Sequence, residues 1–436
     1  MNTPICDFVR DYVSRDPARL HMPGHKGKPV LGCEPSDITE VDGAGNLYAP
    51  DGIVAESEEN ASRLFGCRTY YSAEGSSLCI RAMLFLALQH TGRRKILAAR
   101  NVHKAFLSSA ALLDLDVRWL HPLPDVSYQS CTVTPQAVEQ ALRMVRPCAV
   151  YLTSPDYLGN LADVAAVAQI CRRYGVLLLV DNAHGAYLHF LPQPCHPMDL
   201  GADMCCDSAH KTLPVLTGGA YLHVSPHLAL SVRQIKDALA LFGSTSPSYL
   251  ILQSLDRANV YLQTYAGDLA AFLPRVTALR DALTGHGYTL CGGEPLKLTI
   301  RAKPFGYTGD ALASLLAREN IFCELHDPDH LVCMLTPENN GDLARVRDAL
   351  LRLPRRLPVT DTPPAYHALP QTVSVRKACF AAQESLPTEA CVGRIAAGLC
   401  VTCPPAVPIV LCGERIDAHA AERLLYYGVR MCAVLS

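Results

Sequence analysis

From about residue 95, short apolar runs alternate with amphipathic stretches: "KILAAR", "AFLSSAALLD", "CAVYLT", "LADVAAVAQICRRYG" and "VLLLVDNA". The runs are too short for helices and do not alternate apolar with polar, as expected of strands covered on both faces. The segments between them repeat apolar residues at helical spacing. This βαβ alternation predicts an α/β chain with a doubly wound, mostly parallel sheet. Ligands of such sheets bind beyond the carboxyl ends of the strands, so the residues just past each run carry the chemistry. They read "NVHK" (101–104), "SPDYLGN" (154–160), "DNAHGAY" (181–187) and "DSAHK" (207–211), and three of the four set a histidine or lysine beside small residues. A long helical stretch follows over roughly 247–287, and "LKLTIRA", "TGDALASLLAREN" and "LVCMLT" then predict a smaller α+β unit. The Pro-rich "RLPRRLPVTDTPPAYHALP" reads as a linker.

Composition narrows the partners. With 436 residues, 49% of them apolar, the chain can bury a sizeable core. Its 39 Lys and Arg nearly balance 41 Asp and Glu, which leaves no basic field for nucleic acid or an anionic membrane and points to a small-molecule partner. The start "MNTPICDFVRDY" lacks the apolar run of a secretory signal, so the 19 cysteines read as reduced thiols of a cytoplasmic protein. Cys400 and Cys403 in "CVTC" have no second pair at zinc spacing, and no metal is expected. His21 and His25 are spaced as i, i+4, but Pro23 and Gly24 break the helix that would align them. No apolar stretch approaches the ~20 residues of a membrane helix.

Three features at the strand ends fit one another. Lys211 follows His210 among apolar and small residues, and a desolvated lysine loses its proton and becomes the amine that condenses with an aldehyde. Asp181 closes the apolar "VLLLV" run, where a carboxylate needs a cationic partner such as a protonated pyridine nitrogen. Gly75, Ser76 and Ser77 open an apolar helix whose first N–H groups and hydroxyls suit a phosphate. Taken singly, these are equally a surface lysine, a capping aspartate and a serine N-cap. Together they supply what pyridoxal 5'-phosphate requires: a phosphate cradle, a counter-ion and an amine. Cys205 and Cys206 read as core.

The sequence also resembles a known family, the pyridoxal-phosphate-dependent ornithine/lysine/arginine decarboxylases of fold type I, the aspartate aminotransferase-like fold. The segments that carry the likeness are "LHMPGHKG" (20–27), "ITEVDGAGNLYAP" (38–50), "ARNVHKAF" (99–106), "VDNAHGAYLHF" (180–190), "DSAHKTLP" (207–214), "STSPSYLILQSLD" (244–256) and "CPPAVPIVLCGERI" (403–416). The family's large N-terminal wing domain has no counterpart, so the chain resembles a short form. The resemblance implies an N-terminal segment at 1–50, a cofactor-binding large domain at 51–287, a small α+β domain at 288–352 and a C-terminal decarboxylase-family domain at 353–436. It makes Lys211 the Schiff-base lysine and Asp181 the partner of the ring nitrogen. Ser76, Ser77, Ser208 and His210 would hold the phosphate, His103 would stack on the ring, and Ala183 and His184 would lie on its other side. Thr245 and Ser246 would reach the phosphate of a neighbouring subunit, which implies a homodimer with shared sites.

Departures from the family fall on the substrate side. The tyrosine and glycine of its "YPPG" motif are here Cys403 and Ala406, and an acidic position reads as Gly45. Glu414 matches the acidic position that faces the substrate's distal amine; an exposed helix-start glutamate is the alternative. The implied activity is decarboxylation of arginine, lysine or ornithine in polyamine metabolism, with Lys211 or His210 returning a proton to Cα. An aminotransferase, lyase or oxidase with the same cofactor, or a non-catalytic cofactor-binding relative, are the other readings.

Overall fold

The structure is a computed structural model that describes residues 1–122, 133–398 and 408–436. These fall into two compact units, each assembled from two separate stretches: 1–93 with 164–267, and 94–163 with 268–436. Along the chain the strands of the larger sheet regions are β1 (Arg68–Ser72), β2 (Lys95–Ala99), β3 (Asp116–Leu120), β4 (Ala149–Thr153), β5 (Leu177–Asp181), β6 (Met204–Asp207) and β7 (Ala220–Val224).

In the first unit the strand order is β1-β7-β6-β5. β5 and β6 run parallel, Asp181 facing Cys206. β7 is antiparallel to both β6 and β1. That reversal has a local cause: β6 and β7 are joined without a crossover helix of the length that parallel neighbours need, since Pro214 and the Gly218-Gly219 turn bring the chain straight back. β6 and β7 are buried at every position, as the uninterrupted apolar runs require. Helix Gly75–Thr91 is apolar on most sides and buries Leu78, Ile80, Met83, Leu84 and Leu86, the pattern of a helix enclosed by its unit. Helix Pro4–Ser14 is anchored by a distant residue: the carboxylate of Asp256 accepts the N–H groups of Ile5 at 3.0 Å and Cys6 at 2.9 Å.

In the second unit β2 lies between β4 and β3 and is parallel to both. An antiparallel sheet is built from β8 (Thr289–Cys291), β9 (Lys297–Arg301), β10 (Leu325–His326) and β11 (His330–Met334) in the order β10-β11-β9-β8. β12 (Gln383–Pro387) and β13 (Met431–Leu435) form a further antiparallel pair. The long helix Tyr249–His286 matches the stretch expected at 247–287, and its residues are divided between the two units. The Pro-rich stretch has no regular structure, yet it is tied down: the buried Arg423 donates to the carbonyl of Pro364 at 3.1 Å and also to that of Ala365.

The "SPDYLGN" loop after β4 is organised by one buried carboxylate. Asp156 accepts N–H groups of Leu158 and Asn160, each at 2.9 Å, and Asn160 Nδ2 at 2.8 Å, while its carbonyl accepts from buried Lys297 Nζ at 2.9 Å. Burial outweighs these bonds and pushes the Asp156 carboxyl up to about 6 from 3.8. The folded chain therefore keeps a proton that the unfolded chain has released, and stability falls as pH rises from about 4 to about 6. The total fall is about 3 kcal/mol. In Asp156→Asn this contribution should vanish. Urea unfolding of parent and variant across the window should show their stability difference changing by about that amount; a constant difference would refute the assignment.

Candidate active site

The first unit gathers most of the expected residues. β1 turns through Ala73 and Glu74 into helix Gly75–Thr91. Gly75 sits at φ +69°, a left-handed conformation that glycine adopts at no steric cost, and its N–H donates to the Gly218 carbonyl at 2.7 Å. This places Ser76 and Ser77, both half-buried, in the first turn of a 17-residue helix, where N–H groups are unused by the helix itself. Ser208, which follows β6, donates its hydroxyl to Ser76 Oγ at 2.8 Å. The two serines are thus brought together although 132 positions separate them.

β5 ends in Asp181, only 2% exposed, whose Oδ1 accepts the Ala183 N–H at 3.2 Å and the Cys206 thiol at 3.7 Å. Beyond β6, Ser208 begins the one-turn helix Ala209–Thr212 that carries His210 and Lys211, both half-buried. Lys211 Nζ lies 2.9 Å from Nε2 of the buried His184. His210 Nδ1 donates to the Gly219 carbonyl at 2.9 Å, since a carbonyl can only accept. Cys205 and Cys206 are fully buried, as expected of core residues, and burial drives both thiols well above their usual range. Thr245 and Ser246 are exposed.

The turn after β5 depends on Gly185. A Cβ there would stand 2.1 Å from Asn182 Oδ1 and 2.7 Å from Leu188 Cδ1. Gly185→Ala should cost about 1–3 kcal/mol by overpacking, measured by denaturant unfolding; an unchanged midpoint would show that the turn yields freely.

The second unit holds the remaining candidates. His103 is exposed at the start of helix Lys104–Leu112, and its Nδ1 accepts the Ala105 N–H at 3.2 Å. Glu414 is not the exposed helix-start residue of the alternative reading: it is 1% exposed and forms a two-pronged ion pair with Arg100, also 1% exposed. The second prong, Nη2 to Oε2, measures 3.1 Å, and Oε2 also accepts the Leu411 N–H at 2.8 Å. The negative charge that the resemblance assigns to the substrate's distal amine is thus matched by Arg100. His121 lies nearby, its Nδ1 bonded to Tyr366 Oη at 2.6 Å. Arg100 is a residue that the motif reading passes over, although it closes the run "KILAAR" as Asp181 closes "VLLLVD". Cys400, Cys403 and Ala406 lie outside the described residues.

Comparison with known proteins follows the same lines. The Orn/Lys/Arg decarboxylase major-domain model matches residues 3–286, and the C-terminal-domain model of that family matches residues 360–431. The chain belongs to the Orn/Lys/Arg decarboxylase family. It is 31% identical to the uncharacterized protein YaaO of Bacillus subtilis, covering 97% of this chain and 94% of that one. It is 30% identical to an arginine decarboxylase of Halalkalibacterium halodurans, covering 95% and 91%. The structure superposes on the Francisella novicida lysine decarboxylase LdcF with a TM-score of 0.80 at 15% identity, covering 100% of this chain and 81% of that one. The fold is fold type I of the pyridoxal-phosphate-dependent enzymes, and the chain is a decarboxylase of that class.

The donor set of the first unit fits the cofactor that this class uses. It offers hydroxyls and helix N–H groups for a phosphate dianion, a buried carboxylate at a strand end and a primary amine held by an imidazole. Among the described residues no helix is long and apolar enough to cross a membrane.

Proposed function

We propose that this chain uses pyridoxal 5'-phosphate to remove CO2 from a basic amino acid, with arginine the first candidate. The observation that carries the reading is the Lys211 amine held 2.9 Å from His184 Nε2 on the element that follows β6, with the buried Asp181 ending the parallel neighbour β5. Arginine is favoured by the curated relatives near 30% identity that bear that name. When bound, the cofactor supplies an electron sink for the pair left on Cα as the carboxylate departs.

Every other task falls to side chains of this chain. Ser76, Ser77 and Ser208 would hold the phosphate with the first N–H groups of helix Gly75–Thr91. Asp181 would accept the N–H of the cofactor's ring and favour the protonated form of that nitrogen. His184 would orient Nζ of Lys211, and the family resemblance implies that His103 would stack on the ring. His210, whose Nε2 is the ring nitrogen not engaged by Gly219 and can carry a proton there, or Lys211 itself, would return the proton to Cα. Thr245 and Ser246 are exposed, and in a homodimer they would reach the phosphate of the partner subunit's site, as the family resemblance implies.

Two experiments test this reading. Purified protein is incubated separately with arginine, lysine and ornithine while CO2, amine and keto acid are measured together. Equimolar CO2 and amine is the expected result; keto acid without CO2 would point to transamination. Sedimentation across a dilution series should show a dimer, with cofactor released as monomer appears, and a fully active monomer would overturn the shared site.

A further inference from the structure

Behind the ends of β5 and β6 lies a polar cluster that the reaction leaves unused. Asp207, the last residue of β6, is fully buried, as are His196 and His223. His196 Nε2 approaches Asp207 Oδ2 at 3.0 Å and His223 Nε2 approaches the same oxygen at 3.1 Å. The other oxygen, Oδ1, accepts from Asn182 Nδ2 at 2.7 Å. Asn182 directly follows Asp181 and Ser208 directly follows Asp207, so the cluster joins the residues next to the two strand ends where the site is built. With Cys205 Sγ, the cluster offers four atoms of metal-ligand type within 4.8 Å of one another.

The ring nitrogens on the far sides decide between a metal centre and a hydrogen-bonded one. The Met198 N–H donates to His196 Nδ1 at 3.3 Å, so Nδ1 is bare and the proton of a neutral ring sits on Nε2, pointing at Asp207. His223 Nδ1 faces the Thr69 hydroxyl at 2.9 Å and the Cys67 thiol at 3.5 Å, either of which can donate to it, and with a bare Nδ1 its Nε2–H also points at Asp207. A nitrogen that carries a proton has no lone pair for a metal. Burial pushes the His223 imidazole down, toward its neutral form. The N–H bonds that the two imidazoles donate favour the ionised form of the Asp207 carboxyl in this buried place.

We infer that Asp207 is a buried anion, held by two neutral imidazoles, that positions Asn182 and through it the Asp181 end of β5 for the cofactor. Asp207 is a positioning residue in this arrangement and touches neither cofactor nor substrate. The Asn182 amide is the connecting piece, and the missing side chain of Gly185 makes room for its oxygen. This inference rests on the cofactor reading above.

The test combines three measurements. Long-range 1H–15N spectra of the intact protein should show both His196 and His223 neutral with the proton on Nε2. Titration of cofactor-free protein with pyridoxal 5'-phosphate, followed by fluorescence, should give an affinity weakened about tenfold or more in Asp207→Asn and in Asn182→Ala, the scale of one charge-assisted bond. Asn182→Ala keeps the buried Asp207 with its two histidine donors, so it remains informative if Asp207→Asn folds poorly. Leu239→Ala, a core change in helix Val232–Ala240, should lower the melting temperature while its cofactor affinity stays within about twofold of the parent. Zinc bound one per chain in the purified protein, or protons on Nδ1, would overturn the inference. So would unchanged cofactor affinity in both network variants. If the parent itself binds no cofactor, the functional reading fails instead, and the histidine spectra still judge the cluster.

Discussion

Glu414→Gln should destabilise the protein by about 3–5 kcal/mol, because it removes the carboxylate charge that faces the Arg100 guanidinium in a site that is 1% exposed. Urea unfolding at neutral pH measures the loss. Replacing both members by apolar residues of similar volume, Arg100→Met with Glu414→Leu, should recover most of it, since a buried ion pair and a packed apolar pair are often close in free energy. A loss below about 1 kcal/mol in Glu414→Gln would mean that water reaches the pair. The same variant separates the structural role from the substrate role that the family resemblance implies. If Glu414 also reads the distal cation, KM for arginine should rise by roughly one to two powers of ten, as expected for a lost charge-assisted bond, while norleucine is processed as before. If its carboxylate serves only Arg100, kinetics on the folded fraction should change for both amino acids alike.

Lys211→Ala should reduce turnover by roughly two to four powers of ten, the scale of losing a positioned proton-transfer group, and further if no other amine can take its place. In the parent, borohydride should fix the mass of the cofactor on the peptide that contains Lys211; in the variant that label should be absent. Small primary amines added to the variant should restore part of the activity, since they replace the missing nitrogen without its tether. Labelling of a different lysine in the parent would dismiss the assignment of Lys211.

The parts of this protein that local chemistry dictates were the parts legible in its sequence. The strands β2, β4 and β5 appear as apolar runs because both faces are buried, and the helices between them appear by their spacing. Lys211, Asp181 and Ser76 stand out because an amine, a carboxylate and a hydroxyl pair at successive strand ends have a common chemical use. What stayed hidden depends on partners far along the chain. Arg100 and Glu414 are 314 positions apart, and nothing near either residue announces the other. Asp207 and its two histidines look like isolated polar residues in apolar surroundings until β6 and β7 are paired and the loop carrying His196 closes over them. The direction of β7 is not legible either, because burial of both faces gives the same apolar run whichever way a strand points. A Pro-rich composition identified residues 352–370 as irregular but could not show that Arg423 fastens them.

The interleaving of the two units bears on how the chain is made. The first unit needs residues 164–267 to complete what 1–93 begin, and the second unit likewise waits for the stretch from 268 onward. Helix Pro4–Ser14 is the extreme case, since the carboxylate that binds the N–H of Ile5 belongs to a residue 251 positions later. At ribosomal rates of about 5–20 residues per second, the amino terminus emerges roughly 10–50 seconds before that carboxylate exists. During synthesis the early apolar helix Gly75–Thr91 therefore remains without its finished surroundings, and the nascent chain is expected to depend on chaperones for longer than a protein whose domains are contiguous in sequence.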